Sequence, residues 1–189
     1  MNHAAIRDAL AHRRLHPALT EPEVAAFERH HAIALPRDYR GFLLHVGNGG
    51  AGPHQGIFRL GEVDHFSGCG PWSSELVSAL STPFPFTEPW NDLTHRPYAD
   101  GTSEDDYHEH FANFENSYWF AIPGGFPICN LGHATRVWLA VTGPEAGHLW
   151  LDDRSHDNGF APLSSTKHPR LTFSVWYADW LEGSIGRAV

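Results

Sequence analysis

Two imidazoles lie two residues apart in the sequence HEH, at His108 and His110. In a β-strand alternate side chains point to the same face, so this spacing would let both rings bind one metal ion. A third ligand could come from His65, Glu104 or Asp106, but no fixed spacing selects one of them. Because histidines in a polar loop are usually just solvated, we interpret the segment as a loop and predict no metal and no cofactor.

A glycine-rich stretch, VGNGGAGP at residues 46–53, matches the spacing of a dinucleotide-binding loop at Gly47, Gly49 and Gly52. Such a loop follows a strand and precedes a helix, whose N-terminus then faces the phosphate. Here the preceding residues have helical periodicity and Pro53 follows. The C-terminus of a helix carries partial negative charge and therefore repels a phosphate group. We therefore interpret the glycines as the end of a helix and a tight loop, with Gly47 as the left-handed residue that stops the helix.

An acidic segment, DDRSHDNG at residues 152–159, resembles a calcium-binding loop at first sight. Counted from Asp153, the sixth position is Asn158 and the twelfth is Ser164, where a calcium loop needs Gly and Glu. The segment is therefore interpreted as an acidic turn that follows a strand. The alternative is an acidic patch that faces a partner.

Cys129 and the nearby His133 could form a thiol nucleophile and its base. However, Cys129 lies within PICNL, a pattern that predicts a buried strand, and buried thiols are mostly inert. The sequence has no Gly-x-Ser-x-Gly elbow, no His-Glu-x-x-His motif and no paired-carboxylate signature. We therefore predict that the protein is not an enzyme.

The formal net charge of −9 argues against direct binding to nucleic acid, and it permits a basic protein partner. No apolar run is long enough to cross a bilayer, and the first residues lack a secretion signal. The two cysteines, Cys69 and Cys129, lie far apart in the chain, so free thiols in a reducing compartment are expected. These features predict a cytoplasmic protein with no membrane association.

Hydrophobic periodicity predicts the elements that must position these residues. Apolar residues at helical spacing predict helices at residues 4–16, 21–31, 39–46 and 171–183, the last with Thr172 as its N-cap. Runs of β-branched and aromatic residues predict strands at residues 56–60, 117–122, 126–132, 134–143 and 147–153. Short turns between the later strands favour an antiparallel meander. We therefore predict one α+β domain, with N-terminal helices and a C-terminal helix packed on an antiparallel sheet.

Residues 67–116 are rich in proline, polar and aromatic residues and are interpreted as a long insertion. Phe84, Phe86 and Trp90 are expected to anchor it to the body. A small helix near residues 73–80 and a helical turn capped by Ser103 are the only regular elements expected within it.

In the predicted strand at residues 134–143, aliphatic side chains alternate with a second set that includes an arginine and a tryptophan. Val137, Leu139 and Val141 should lie on one face of the sheet, and Arg136, Trp138 and Ala140 on the other. Trp119, Trp138 and Trp150 fall near the middles of successive predicted strands and are expected to share a face. They are interpreted as core beneath the C-terminal helix, with an aromatic platform for a partner as the alternative.

Three segments, in order, resemble the SUKH superfamily. Residues 19–53 are similar to its N-terminal signature, residues 132–154 to its central hairpin, and LTFSVWYADWL to its closing helix. The residues that carry the resemblance are Leu35, Pro36, Asp38, Tyr39, Asn48, Gly49, Gly50, Gly147, Trp150 and Trp180.

The resemblance implies an α+β fold without catalytic residues, in which these residues are fold determinants. The best-known bacterial role of the family is immunity, in which the protein neutralises a toxin domain such as a nuclease or deaminase. The fungal branch regulates cell-wall synthesis, so a regulatory scaffold that binds a cellular protein or a small ligand is the alternative. The expected partner-binding residues are Trp72, Glu104, Asp105, Asp106, Trp150, Asp152, Asp153 and Asp157.

Overall fold

A computed structural model describes residues 2–62, 80–94, 104–118 and 122–183, which form an α+β fold with an antiparallel sheet, as the sequence predicts. The side chains of residues 104–107 and 115–117 are not described. The helices are α1 (His3–Ala9), α2 (Glu21–His31), α3 (Arg37–His45), α4 (Glu104–Tyr118) and α5 (Phe173–Leu181). The strands are β1 (Gly125–Gly132), β2 (Thr135–Ala140), β3 (Leu149–Asp152) and β4 (Phe160–Pro162), and a 3-10 helix spans Arg154–His156.

The four strands pair in sequence order, each antiparallel to the next. Single bridges extend the sheet at both edges. Beyond β1, Cys129 bridges to Ile57, which bridges to Gly50, which bridges to Leu15. Beyond β4, Phe160 bridges to Trp90. Both edges of the sheet are therefore paired with irregular chain, which protects them from pairing with another molecule.

The helices α3 and α5 cover one face of the sheet. Val137, Leu139 and Val141 project to this face, as their alternation predicts, and belong to one buried cluster with the aromatic residues of both helices. Phe42 of α3 lies edge-on to Tyr177 of α5, with their ring centroids 5.0 Å apart. This geometry is favoured between aromatic rings and adds to the burial of their apolar area.

The opposite face carries Trp138, Trp150 and Phe160, which form a separate buried cluster. The cover is supplied by the chain that precedes α4 and not by α5, so the interpretation of these tryptophans as core beneath the C-terminal helix is wrong. The ring centroid of Phe84 lies 5.2 Å from that of Trp150, and Phe86 and Trp90 pack against the same cluster. The expected anchoring role of these three residues is confirmed. Trp119 lies outside the described residues.

Asp38 joins α3 to α5. Its Oδ2 accepts a hydrogen bond of 2.8 Å from the backbone N–H of Ser174, in the first turn of α5. Thr172 is the N-cap residue, as predicted, but its side chain makes no capping bond. Because the first N–H groups of a helix lack intrahelical acceptors, a carboxylate from α3 takes over this role.

The chain after α3 forms the glycine loop (residues 47–56). Gly47 does not have the predicted left-handed conformation. The first glycines of the loop with positive φ angles are Gly49 and Gly50. A Cβ atom on Gly50 would lie 2.6 Å from the carbonyl oxygen of Arg14, so this glycine is required by close backbone packing as well as by its φ of +105°. Residues 57–62, which come directly after the loop, contain no helix, and this supports the architectural interpretation of the glycines.

Several predicted boundaries differ from the structure. α1 ends at Ala9, well before Pro17, and the predicted strand at residues 56–60 is reduced to the bridges of Ile57. α4 extends to Tyr118, so the strand predicted at residues 117–122 begins with helix. β4 was not predicted, because three residues are too few to show an alternating pattern.

We predict that Asp38→Ala lowers the free energy of unfolding by about 1–2 kcal/mol, because the Ser174 N–H loses its acceptor. Asp38→Asn, which keeps an acceptor oxygen, should cost less. Urea unfolding followed by tryptophan fluorescence measures both. Equal midpoints for the Ala variant and the wild type would show that this bond contributes nothing to stability.

Candidate functional site

The acidic turn (residues 152–159) begins with a buried ion pair. Asp152 is fully buried, and its two carboxylate oxygens accept hydrogen bonds of 2.7 Å from Nε and Nη2 of Arg154. Arg154 is also buried, and its Nη1 donates to the carbonyl oxygen of Tyr118 at 2.9 Å. Asp152 therefore holds the end of α4 through Arg154 and does not face a partner, which corrects the expectation for this residue. The role of Arg154 was not predicted, because the carbonyl group that it binds lies 36 residues earlier in the chain.

Asp153 organises the rest of the turn. Its Oδ1 lies 2.6 Å from Nδ1 of His156 and accepts a bond of 2.9 Å from the hydroxyl of Thr135. Its Oδ2 accepts a bond of 2.7 Å from the side-chain amide of Asn158. Partial burial raises the pKa of Asp153, but the hydrogen bonds from Asn158, His156 and Thr135 outweigh this and hold the pKa below its ordinary value. The carboxylate of Asp153 thus stabilises the turn through three side-chain contacts.

Asp157 lies at the tip of the turn, in the left-handed conformation with φ of 60°. Its carbonyl oxygen accepts a bond of 2.7 Å from the side-chain amide of Asn91, and the Oδ1 of Asn91 accepts a bond of 2.7 Å from the hydroxyl of Tyr118. The turn, the chain before α4 and the C-terminal end of α4 therefore form one continuous surface. Asp153 and Asp157 are both partly exposed on it.

Glu104, Asp105 and Asp106 form the first turn of α4, so the two predicted acidic groups are connected by one helix. α4 has 15 residues and is therefore about 22 Å long. All six residues from 108 to 113 are exposed, and Phe111 retains 39% of its accessible surface. Since six helical residues turn through more than one full revolution, every side of the helix is exposed over this stretch. Further along the helix, Phe114 and Tyr118 are buried.

The other candidate residues are placed as follows. His108 and His110 lie on a helix, so the interpretation of this segment as a loop is wrong. On a helix the two side chains point in directions about 160° apart and cannot share a face, as they would in a strand. Within the described ranges, no three His, Cys, Asp or Glu side chains are arranged to hold a metal ion. Cys129 is buried in β1, as predicted, and burial raises the pKa of its thiol to about 12. Trp150 is fully buried, so it is not an exposed anchor, and Trp72 lies outside the described residues.

The remaining motif residues have structural contacts. Leu35 and Tyr39 are buried, and Pro36 is the N-cap of α3. The side-chain oxygen of Asn48 accepts a bond of 2.8 Å from the Leu60 N–H. Gly49 and Gly50 form the glycine loop, and Gly147 has a φ of 94° in the turn between β2 and β3. Trp180 is partly exposed, with the guanidinium of Arg13 5.0 Å from its ring centroid.

A cavity of about 640 Å³ lies beside the glycine loop, on the β1 side of the sheet. Its lining includes Arg13, Arg14 and His16 from the segment after α1, His54 from the loop, and Asn130 from β1. This cavity could not be predicted from the sequence, because its lining residues come from segments that are distant in the chain. We call it the glycine-loop pocket.

Comparisons with protein-family models, with curated proteins and with solved structures found no match to this chain. None of the helices that the structure describes is both long and apolar enough to cross a bilayer.

We predict that Asp152→Ala lowers the free energy of unfolding by about 3–5 kcal/mol, because it leaves the buried Arg154 without its carboxylate. Asp157→Asn removes a nearby charge on the surface, keeps a residue that tolerates the left-handed conformation, and should change stability by less than about 1 kcal/mol. Urea unfolding distinguishes the two variants. Similar losses for both would contradict the structural role assigned to Asp152.

Proposed function

We propose that this protein is a non-enzymatic binding protein that neutralises a basic toxin domain, such as a nuclease or deaminase, in the manner of an immunity protein. The proposal unites the sequence resemblance to the SUKH superfamily with one structural observation, the acidic helix α4, whose residues 108–113 are exposed. The residues that carry the resemblance have structural contacts, as the resemblance implies. We therefore look for the binding site on the surface of the protein.

The helix α4 has the composition of a binding element. It carries five acidic residues, Glu104, Asp105, Asp106, Glu109 and Glu115, and no lysine or arginine. Helices in globular proteins gain most of their stability from an apolar face packed on the body. α4 has buried residues at Phe114 and Tyr118, whereas residues 108–113 are exposed on all sides. A partner protein would pack against this exposed stretch of α4.

The chemistry of the partner follows from the charge of this surface. Acidic residues lie along α4, and Asp153 and Asp157 add to them at its C-terminal end. A nuclease or deaminase domain needs a basic face to bind nucleic acid. An acidic binder that covers such a face blocks the substrate, and complementary charge speeds the encounter. Phe111, partly exposed among these acids, would supply an apolar contact within the interface.

The alternative function is a regulatory scaffold that binds a cellular protein or a small ligand, as in the fungal branch of the family. The glycine-loop pocket favours the small-ligand form of this alternative, because its volume lies within the order of 300–1,000 Å³ that is usual for ligand sites. Gene neighbourhood separates the two functions. An adjacent gene for a large secreted protein with a variable C-terminal domain would favour immunity.

The first test is coexpression of the protein with the toxic domain that is encoded beside its gene. Rescue of growth and a complex that survives size-exclusion chromatography are expected. Continued toxicity, with no complex between the two purified proteins, would count against immunity.

A second test addresses the surface. We predict that the triple variant Asp105→Lys, Asp106→Lys, Glu109→Lys slows association with the basic partner roughly tenfold at low salt, because electrostatic steering is lost. The difference should shrink at 0.5 M NaCl, where charges are screened. Stopped-flow fluorescence measures both rates.

The control reverses the same amount of charge elsewhere, in the triple variant Asp8→Lys, Asp179→Lys, Glu182→Lys, all at least partly exposed and on or next to helices α1 and α5. This variant should associate with the partner much as the wild type does. An equal slowing in both triple variants would show that net charge matters and that α4 is not the interface.

A further inference from the structure

The glycine-loop pocket is built by backbone bonds between segments that are far apart in the sequence. The carbonyl oxygen of Arg14 accepts a bond of 2.8 Å from the Ala51 N–H, and Gly50 exchanges bonds of 2.7 and 2.8 Å with Ile57. The Phe58 N–H donates to Ile128 of β1 at 2.9 Å. These bonds fix the arginine-bearing segment and the glycine loop against the sheet, so the pocket is formed by ordered backbone.

Two guanidinium groups line this pocket in a protein of net charge −9. Neither Arg13 nor Arg14 has a carboxylate partner among the residues that the structure describes. Arg13 is positioned by its stacking over Trp180, at 5.0 Å from the ring centroid. Of the described lining residues only Glu62 is acidic, and its Oε2 already accepts the N–H of Arg59 at 2.9 Å.

Asn130, from β1, supplies a hydrogen-bond donor to the lining of the pocket. It is 96% buried, and its Oδ1 accepts bonds from Nη1 of Arg136 at 2.8 Å and from the Gly132 N–H at 2.7 Å. Two donors on this oxygen fix the orientation of the amide, so the other atom is the NH₂ group. That NH₂ group donates no hydrogen bond to any residue that the structure describes. Because Asn130 lines the pocket, this donor is available to water or to a ligand.

We propose that the glycine-loop pocket binds a small molecule that carries a phosphate or carboxylate group. Arg13 and Arg14 would pair with the oxyanion, because a guanidinium matches the geometry of phosphate and carboxylate oxygens. The amide of Asn130 would donate a further hydrogen bond to the same ligand. In contrast to a dinucleotide-binding loop, the positive charge comes from side chains of the segment after α1 and not from a helix N-terminus. This function is separate from the proposed neutralisation of a toxin.

Isothermal titration calorimetry of the full chain with pyrophosphate, and separately with citrate, tests the proposal. Saturable binding with one site is expected for at least one of the two, and the anion that binds identifies the oxyanion type. Titrations with sodium chloride at matched ionic strength correct for general salt effects.

Two variants locate the site. Arg14→Gln and Asn130→Asp should each weaken binding by at least about tenfold, because each removes a hydrogen-bond donor to a charged ligand. Asn130→Asp keeps an acceptor for Arg136 and Gly132, and Arg14 is exposed, so both variants are expected to fold. Arg29→Gln, an exposed charge on α2 outside the pocket, is the matched control. Absence of saturable binding to either anion, or unchanged binding in both pocket variants, would overturn the proposal.

Discussion

Trp138 and Trp150 project from one face of the central sheet, while Val137, Leu139 and Leu149 project from the other, so water must be excluded from both. Helices α3 and α5 cover one face, and the chain around Phe84 covers the second. This second cover brings Trp90 to the edge of β4 and places the end of α4 against the acidic turn. The end of α4 therefore lies where this second cover meets the acidic turn.

Polar contacts occur where elements distant in the sequence meet. Asp38 caps α5 from α3, and Asp152 holds Arg154 so that it can bind the last carbonyl of α4. Both are single carboxylates that satisfy donors on another element, and such donors are costly when they are left unpaired. An acidic residue in this chain can thus be either structural or available for binding, and burial distinguishes the two roles. Asp152 is structural, whereas Glu109 is exposed on α4.

The two candidate binding surfaces lie at opposite edges of the sheet. The acidic helix is attached near β4, and the glycine-loop pocket lies beyond β1. Their charges also differ, since α4 carries five acidic residues, whereas the pocket contains two arginines that have no carboxylate partner in the described part of the chain. At each edge the regular strand pairing gives way to single bridges, which leave side chains available for binding. Because the surfaces are separate, a variant at one of them should not alter binding at the other.

The sequence by itself determined the α+β class, helices α2, α3 and α5, three of the strands, and the alternation that places Val137 and Trp138 on opposite faces. These features rest on local periodicity and turn chemistry, which a single segment contains. Only the tertiary structure decided that Trp150 and Asp152 are buried, that Arg154 holds α4, and that Arg14 and Asn130 line one pocket. Burial and proximity depend on which distant segment covers a residue. The local pattern around Trp150 is the same whether a helix, the insertion or a partner protein covers it, so the sequence could not distinguish these outcomes.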